Sequence, residues 1–315
     1  MQYNKLGCTN LMVSKLCFGS LTISPLQANL PIKDGADVIL FAIDLGINFI
    51  DTAEFYRNYQ YLKEALKRSK KELIIATKSY AYTYEGMKES VEKARKEIGK
   101  DVIDIFMLHE QESRLTLKGH REALEYLLDA KAKGIIKAVG VSTHTVEVVN
   151  AAADMPEIDV IHPLINFKGI GIKDGTLQDM EMAVHKAYKN GKGIYAMKVL
   201  GGGNLIKDKK QAFSYILSFP YLDSVAIGMK SKDEVLANVS MFEGTAVNPD
   251  IEEKIGSEKR RLLVEDWCLG CGECVKHCRH SALSLQNGRS VVNPDACILC
   301  GYCAGYCPEF CIKII

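Results

Sequence analysis

The sequence predicts an α/β chain in two parts: a closed (β/α)8 barrel of the TIM type, then a small cysteine-rich C-terminal domain. Three observations predict it. Apolar runs of strand length recur eight times between residues 16 and 228, each followed by a helical pattern. These runs are almost continuous in apolar residues rather than alternating, as strands buried on both faces are. Nine of the eleven cysteines crowd into residues 268–311, after 250 residues (18–267) that contain none.

Taken in order, the residues before Leu16 read as a hairpin plugging the barrel bottom. Strands are expected at 16–20, 48–51, 73–78, 103–109, 138–142, 160–166, 193–200 and 224–228. Helices are expected between them, among others at 34–45, 87–98, 117–133, 177–189 and 232–242, where apolar residues recur at three- and four-residue spacing. Eight such units over ~240 residues match a closed barrel in number and size. A doubly wound open sheet would place GxGxxG after its first strand. Here Gly19-Ser20-Leu21 stands there, and the glycine run at 201–203 follows the seventh strand instead. The barrel is expected over 1–243. Residues 244–262, GTAVNPDIEEKIGSEKRRL, change to a polar, charged composition and read as a linker with a short helix. The tail domain occupies 263–315.

Forty basic residues against 39 acidic ones leave a formal charge of +1, which argues against non-specific nucleic-acid binding and a polybasic membrane surface. No apolar run reaches the ~18 residues of a membrane span. The N-terminus MQYNKLGCTNLMVSKL has no signal-peptide core, so a cytoplasmic location is expected. The uneven cysteines fit a local metal module better than a disulfide-stapled secreted fold.

The tail is an internal duplication. Cys268, Cys271, Cys274 and Cys278 follow the spacing C-x2-C-x2-C-x3-C, and Cys297, Cys300, Cys303 and Cys307 repeat it 29 residues later, with Pro308 next. Asp266 and Asp295, Gly272 and Gly301, and Leu283 and Ile312 share the same offset. Structural zinc competes as a reading, because CxxC pairs also suit zinc. Two zinc sites have no need of this run twice in register. The pattern resembles the bacterial two-cluster ferredoxin, which implies an α+β ferredoxin-like iron–sulfur domain. There the fourth cysteine of each run ligates the other cluster. The resemblance therefore implies one [4Fe–4S] cluster on Cys268, Cys271, Cys274 and Cys307, and a second on Cys297, Cys300, Cys303 and Cys278. Arg279 stands where that family usually has proline. Cys311, Cys8 and Cys17 read as small buried apolar residues, and His277 and His280 as solvent-facing.

In a (β/α)8 barrel the chemistry sits at the C-terminal ends of the strands. The second strand ends at Asp51, with Tyr56 in the next loop; the third ends in Lys78 and the fourth in His109. Each alone is weak evidence. Together they place a carboxylate, a phenol, an ammonium and an imidazole on one face. A free phenol has pKa ~10 and is a poor acid at neutral pH. An adjacent ammonium is expected to lower it, and a carboxylate to keep that ammonium charged. Such a phenol can protonate a carbonyl oxygen while a nicotinamide delivers hydride. His109-Glu110 opens like HExxH, but Ser113 holds the second histidine position, so no zincin site is present.

NFIDTAEFY (48–56), IATK (75–78) and DIFMLH (104–109) resemble, in order, the tetrad motifs of the aldo-keto reductases. The resemblance covers about residues 1–243. It implies Asp51, Tyr56, Lys78 and His109 as the tetrad, with Tyr56 as general acid. It also implies NADPH, in preference to NADH, lying extended across the barrel mouth. VGVSTH (139–144) resembles the carboxamide-binding segment, with Ser142 matching and Thr143 replacing asparagine. His162 takes a second carboxamide position and Met197 that of an aromatic beside the nicotinamide. The turn at Leu200, Gly201 and Gly203 would cover the pyrophosphate. VAIGMKSKDEVLAN (225–238) resembles the adenosine-phosphate segment, implying Lys230 and Ser231 at a 2′-phosphate and Glu234 and Asn238 at ribose and adenine. Arg57 follows Tyr56 where the family often has glycine; it either adds charge to the substrate mouth or faces solvent.

The implied function is NADPH-dependent reduction of a small-molecule aldehyde or ketone. Hydride moves two electrons and each cluster one. The sequence leaves the clusters three roles: structural, docking a redox partner protein, or relaying electrons. An alternative from another class is an iron–sulfur electron-transfer protein whose barrel binds nicotinamide nucleotide as a sensor or docking module.

Overall fold

The computed structural model describes residues 1–315. The chain opens with an antiparallel hairpin, β1 (Tyr3–Lys5) and β2 (Met12–Ser14). Eight parallel strands follow: β3 (Leu16–Gly19), β4 (Phe49–Asp51), β5 (Ile74–Ser79), β6 (Ile103–Gln111), β7 (Ile136–Thr143), β8 (Val160–Pro163), β9 (Gly193–Ala196) and β10 (Ser224–Gly228). They close into a barrel because β10 pairs with both β9 and β3. Helices run between them: α1 (Ile32–Asp44), α2 (Tyr59–Arg68), α3 (Tyr84–Ile98), α4 (Arg114–Gly119), α5 (Arg121–Ala132), α6 (Val146–Asp154), α7 (Leu177–Lys189), α8 (Lys209–Leu217) and α9 (Lys232–Phe242).

Two layers of apolar packing hold this together. The strands' outer faces and the helices share a continuous core that includes Ile39, Leu62, Val91, Leu124, Val148 and Val184. The barrel interior is filled by Cys17, Phe49, Ile105, Met107 and Tyr195, closed from below by Leu6, Leu11 and Val13 of the hairpin. The helix expected over 117–133 is two. Ser113 caps α4 through a reciprocal box with Thr116, and the backbone breaks at His120 before α5 begins. Strands expected to run to 166 and 200 stop at Pro163 and Ala196, beyond which only Leu164 and Met197 pair. No helix is long and apolar enough to cross a membrane.

Residues 244–262 hold α10 (Pro249–Ser257), capped by Asn248 with proline at its first position. The tail contains β11 (Leu262–Val264), α11 (Glu273–Lys276), a hairpin of β12 (Leu283–Gln286) and β13 (Arg289–Val292), and β14 (Ile312–Ile314) paired with β11. It docks on the C-terminal mouth of the barrel. Phe310 packs against Leu164 and Met197. Asn204 donates to the Ile312 carbonyl at 3.0 Å, and Lys173 pairs with Glu309 at 3.2 Å. Gly203 explains part of the glycine run: a Cβ there would lie 2.0 Å from the Ile314 carbonyl oxygen, and its φ is +87°. Any other residue would push the tail off the mouth.

Candidate active site

Asp51 and Lys78 end β4 and β5 as neighbours on the barrel wall. The Lys78 Nζ lies 2.8 and 2.9 Å from the Asp51 oxygens and 2.9 Å from the Thr52 carbonyl, so all three of its protons are committed. Tyr195 donates its hydroxyl to Asp51 Oδ1 at 2.9 Å, and His162 Nε2 stands 3.7 Å from the same atom. Burial alone would raise the Asp51 carboxyl. The Lys78 ammonium, His162 and Tyr195 outweigh it and hold the group below the usual carboxylate range.

Tyr56 follows β4 on a short 3-10 turn, Glu54–Tyr56, that ends in Arg57 with φ +55°. That left-handed backbone favours glycine; the Arg57 side chain is exposed. The Lys78 Nζ lies 5.0 Å from the Tyr56 ring centroid. Burial pushes the phenol well above its ordinary value, reinforced by Asp51, Glu110 and Tyr80. The direction differs from the sequence expectation of a lowered phenol. Lys78 spends its donors on Asp51 and Thr52, and the carboxylate offsets its charge.

His109 sits where β6 bulges, between Leu108 and Gln111, with Glu110 at φ +45°. The bulge redirects the strand end toward the mouth. The imidazole stacks on Tyr80 at 4.2 Å and meets the Tyr56 ring edge-on at 6.0 Å. Its Nδ1 is buried without a partner. Burial takes it down to about 3, so it is neutral at physiological pH.

His144 and His162 are likewise buried, and burial lowers them to about 3 and about 4. This has a consequence for stability. Below the unfolded value of ~6.5 the unfolded chain binds protons that the native imidazoles refuse, so stability falls with pH until the folded values are reached. Each histidine contributes a slope of up to about 1.4 kcal/mol per pH unit. A steep drop in the thermal midpoint is expected from pH 6.5 towards pH 4. A midpoint flat across that range would mean that these imidazoles carry charge in the native barrel.

One cavity of about 620 Å³ opens over the mouth. Asp51, Tyr56 and His162 lie at its wall, as do Met197, Leu200, Gly203, Lys230 and Glu234. The other implied residues, Lys78 and His109 among them, do not line it. Ser142 Oγ accepts from the Glu110 amide at 2.9 Å, and Ser231 caps α9 by accepting from the Glu234 amide. Gly201 is buried in the turn, and Asn238 lies one turn beyond Glu234 on α9. The structure adds residues that the sequence did not single out: Lys198 beside Met197, Arg260 and Arg261 from the linker, and Ile314 and Ile315 from the tail. No local motif marks them, because they reach the cavity from three separate stretches of chain. Glu110, adjacent to His109, was legible only as a failed zinc motif.

In the tail, Cys268, Cys271, Cys274 and Cys307 border one small cavity, together with Cys311. Cys278, Cys297, Cys300 and Cys303 border another. Cys311 Sγ lies 3.3 Å from Cys307 Sγ. No three acidic, histidine or cysteine side chains converge closely enough to grip a single ion.

A model of the aldo/keto reductase family matches residues 15–216. The chain belongs to that family. A model of the 4Fe-4S dicluster domain matches residues 261–308 of this aldo/keto reductase. L-galactose dehydrogenase of Arabidopsis thaliana is 24% identical over 283 residues, 76% of this chain and 88% of that protein. Methylglyoxal reductase DkgA of Escherichia coli K12 is 25% identical over 168 residues, 50% of this chain and 60% of that protein. The holo form of aldo-keto reductase AKR11C1 from Bacillus halodurans superposes with a TM-score of 0.65 over 81% of this chain and 95% of that one, at 21% identity, a likeness of fold. The reductase is thus an oxidoreductase with an iron–sulfur tail, of a family that uses NAD(P)H.

Proposed function

We propose that the protein reduces an aldehyde or ketone to the alcohol with NADPH, Tyr56 acting as general acid. The observation that carries this reading is a single cavity with a phenol and a buried ion pair at one end and cationic side chains at the other. Its donor set fits a nicotinamide nucleotide: His162 and Met197 by the ring, the turn at Leu200 and Gly203 by the pyrophosphate, Lys230 and Glu234 by the adenosine. Bound NADPH would supply the hydride to the carbonyl carbon.

The remaining steps belong to the chain. Tyr56 gives its phenolic proton to the carbonyl oxygen as charge develops there. Solvent then reprotonates the phenolate, whose ring centroid lies 5.0 Å from the Lys78 ammonium. Asp51 holds Lys78 in place. Neutral His109 donates an N–H to the same oxygen and orients the substrate. Such a site is expected to hold its turnover through neutral pH and lose it only in alkali, where Tyr56 deprotonates.

We further propose two [4Fe–4S] clusters, on Cys268, Cys271, Cys274 and Cys307 and on Cys297, Cys300, Cys303 and Cys278. The sorting of the thiols around two cavities supports this. Leu269 beside the first cavity and Ile298 and Tyr302 beside the second are exposed, which supports docking of a redox partner protein there.

Anaerobic protein mixed with NADPH and a panel of aldehydes tests both proposals. The expected result is carbonyl-dependent NADPH consumption, with about eight irons per chain. The variant Cys311→Ala is expected to keep all of that iron. Cluster bleaching by NADPH without carbonyl loss would favour the electron-transfer reading instead. Loss of about half the iron in Cys311→Ala would make Cys311 a ligand.

A further inference from the structure

One side of the cavity is built by residues outside the barrel. Lys259, Arg260 and Arg261, at the end of the linker, line it beside Lys230 and Glu234 of the junction between β10 and α9. The linker is held there at several points. Glu258 lies 3.0 Å from the Lys230 Nζ, and Lys209 pairs with Glu252 of α10 at 3.4 Å. Within the linker itself, Arg260 donates to the Ile255 carbonyl at 3.3 Å. Arg261 exchanges backbone hydrogen bonds with Ile315 at 2.9 and 3.0 Å, which fastens it to the edge of the tail sheet.

The charges at this end do not balance. Lys230 is matched by Glu258. Glu234 is turned inward, its Oε2 accepting from the Lys230 amide at 2.7 Å, and burial raises its carboxyl. Lys259, Arg260 and Arg261 form no ion pair. Three cations on adjacent residues at the rim of one cavity repel one another, and an anion between them removes that cost. A phosphate monoester carries −1.5 to −2 at neutral pH and accepts forked guanidinium hydrogen bonds.

We infer that Lys259, Arg260 and Arg261 clamp the 2′-phosphate of the nucleotide, so that the tether of the iron–sulfur tail is part of the nucleotide site. This rests on the NADPH reading above and goes beyond it, because the clamp lies outside the barrel. The nucleotide then bridges barrel and tether, and its binding fastens the tail to the mouth.

Calorimetric titration of the full-length holoprotein with NADPH and with NADH tests the clamp. The double variant Arg260→Gln/Arg261→Gln is expected to weaken NADPH binding by about 30-fold, with NADH within about threefold. The double variant Arg260→Lys/Arg261→Lys is expected to fall between it and wild type. Cluster absorbance and circular dichroism should match wild type throughout. If the glutamine pair does not fold, Lys259→Gln alone should still weaken NADPH selectively, by about threefold. Equal weakening of both nucleotides, or none, overturns the clamp while the proposed function stands. A wild type that binds neither nucleotide removes the proposed function and this site with it.

Discussion

Tyr56→Phe is expected to lower kcat for carbonyl reduction by about 10³-fold while NADPH affinity stays within about threefold. The substitution removes one oxygen and leaves the ring, so the cavity wall keeps its shape. What is lost is the phenolic proton that the proposed mechanism delivers to the carbonyl oxygen. Lys78 cannot replace it, because Asp51 and Thr52 take its three donors. His109 is a poor substitute, because burial holds it at about 3 and leaves it neutral. Single-turnover kinetics with saturating NADPH isolates the chemical step from product release. A kcat within tenfold of wild type would show that another group protonates the carbonyl.

Lys78→Met is expected to destabilise the barrel by about 3–5 kcal/mol, besides lowering turnover. It would leave Asp51, 5% exposed, as a buried carboxylate whose remaining neighbours are a phenol at 2.9 Å and an imidazole at 3.7 Å. Neither carries a full positive charge at neutral pH. Adding Asp51→Asn is expected to recover part of the loss, because the amide needs no counter-charge and still accepts from Tyr195. Urea unfolding followed by far-ultraviolet circular dichroism measures both variants. A cost below about 1 kcal/mol for Lys78→Met would mean that the pair is solvated in the native protein.

Much of the barrel was legible before the structure. Continuous apolar runs revealed the strands, because a strand buried on both faces has no polar side to show. Where expectation and structure part, local backbone geometry decides. Phase along the apolar pattern hides the break at His120, since Leu117 and Leu124 still fall on the buried side. The strands at 160 and 193 stop at Pro163 and Ala196, and just beyond them Leu164 and Met197 pack against Phe310 of the tail. The sequence points to the opposite direction for the Tyr56 shift for a related reason. Pairing Lys78 with Asp51 was foreseeable, but the number of donors that Lys78 commits is a matter of angles and distances.

Strand-end residues and cysteine spacing are properties of one stretch of chain, and the sequence determined them. The order Asp51, Tyr56, Lys78, His109 and the repeat at 29 residues are covalent facts that survive any arrangement of the loops. Where the tail rests is not such a fact. A 19-residue linker is compatible with many positions, and contacts such as the packing of Phe310, the close approach of Ile314 to Gly203 and the ties from Glu252 and Glu258 select one. Tertiary structure therefore decided that Arg260 and Arg261 share a cavity with Tyr56. Their separation along the chain is about 200 residues, and contact over such a span comes from shape and charge together, which no local pattern records.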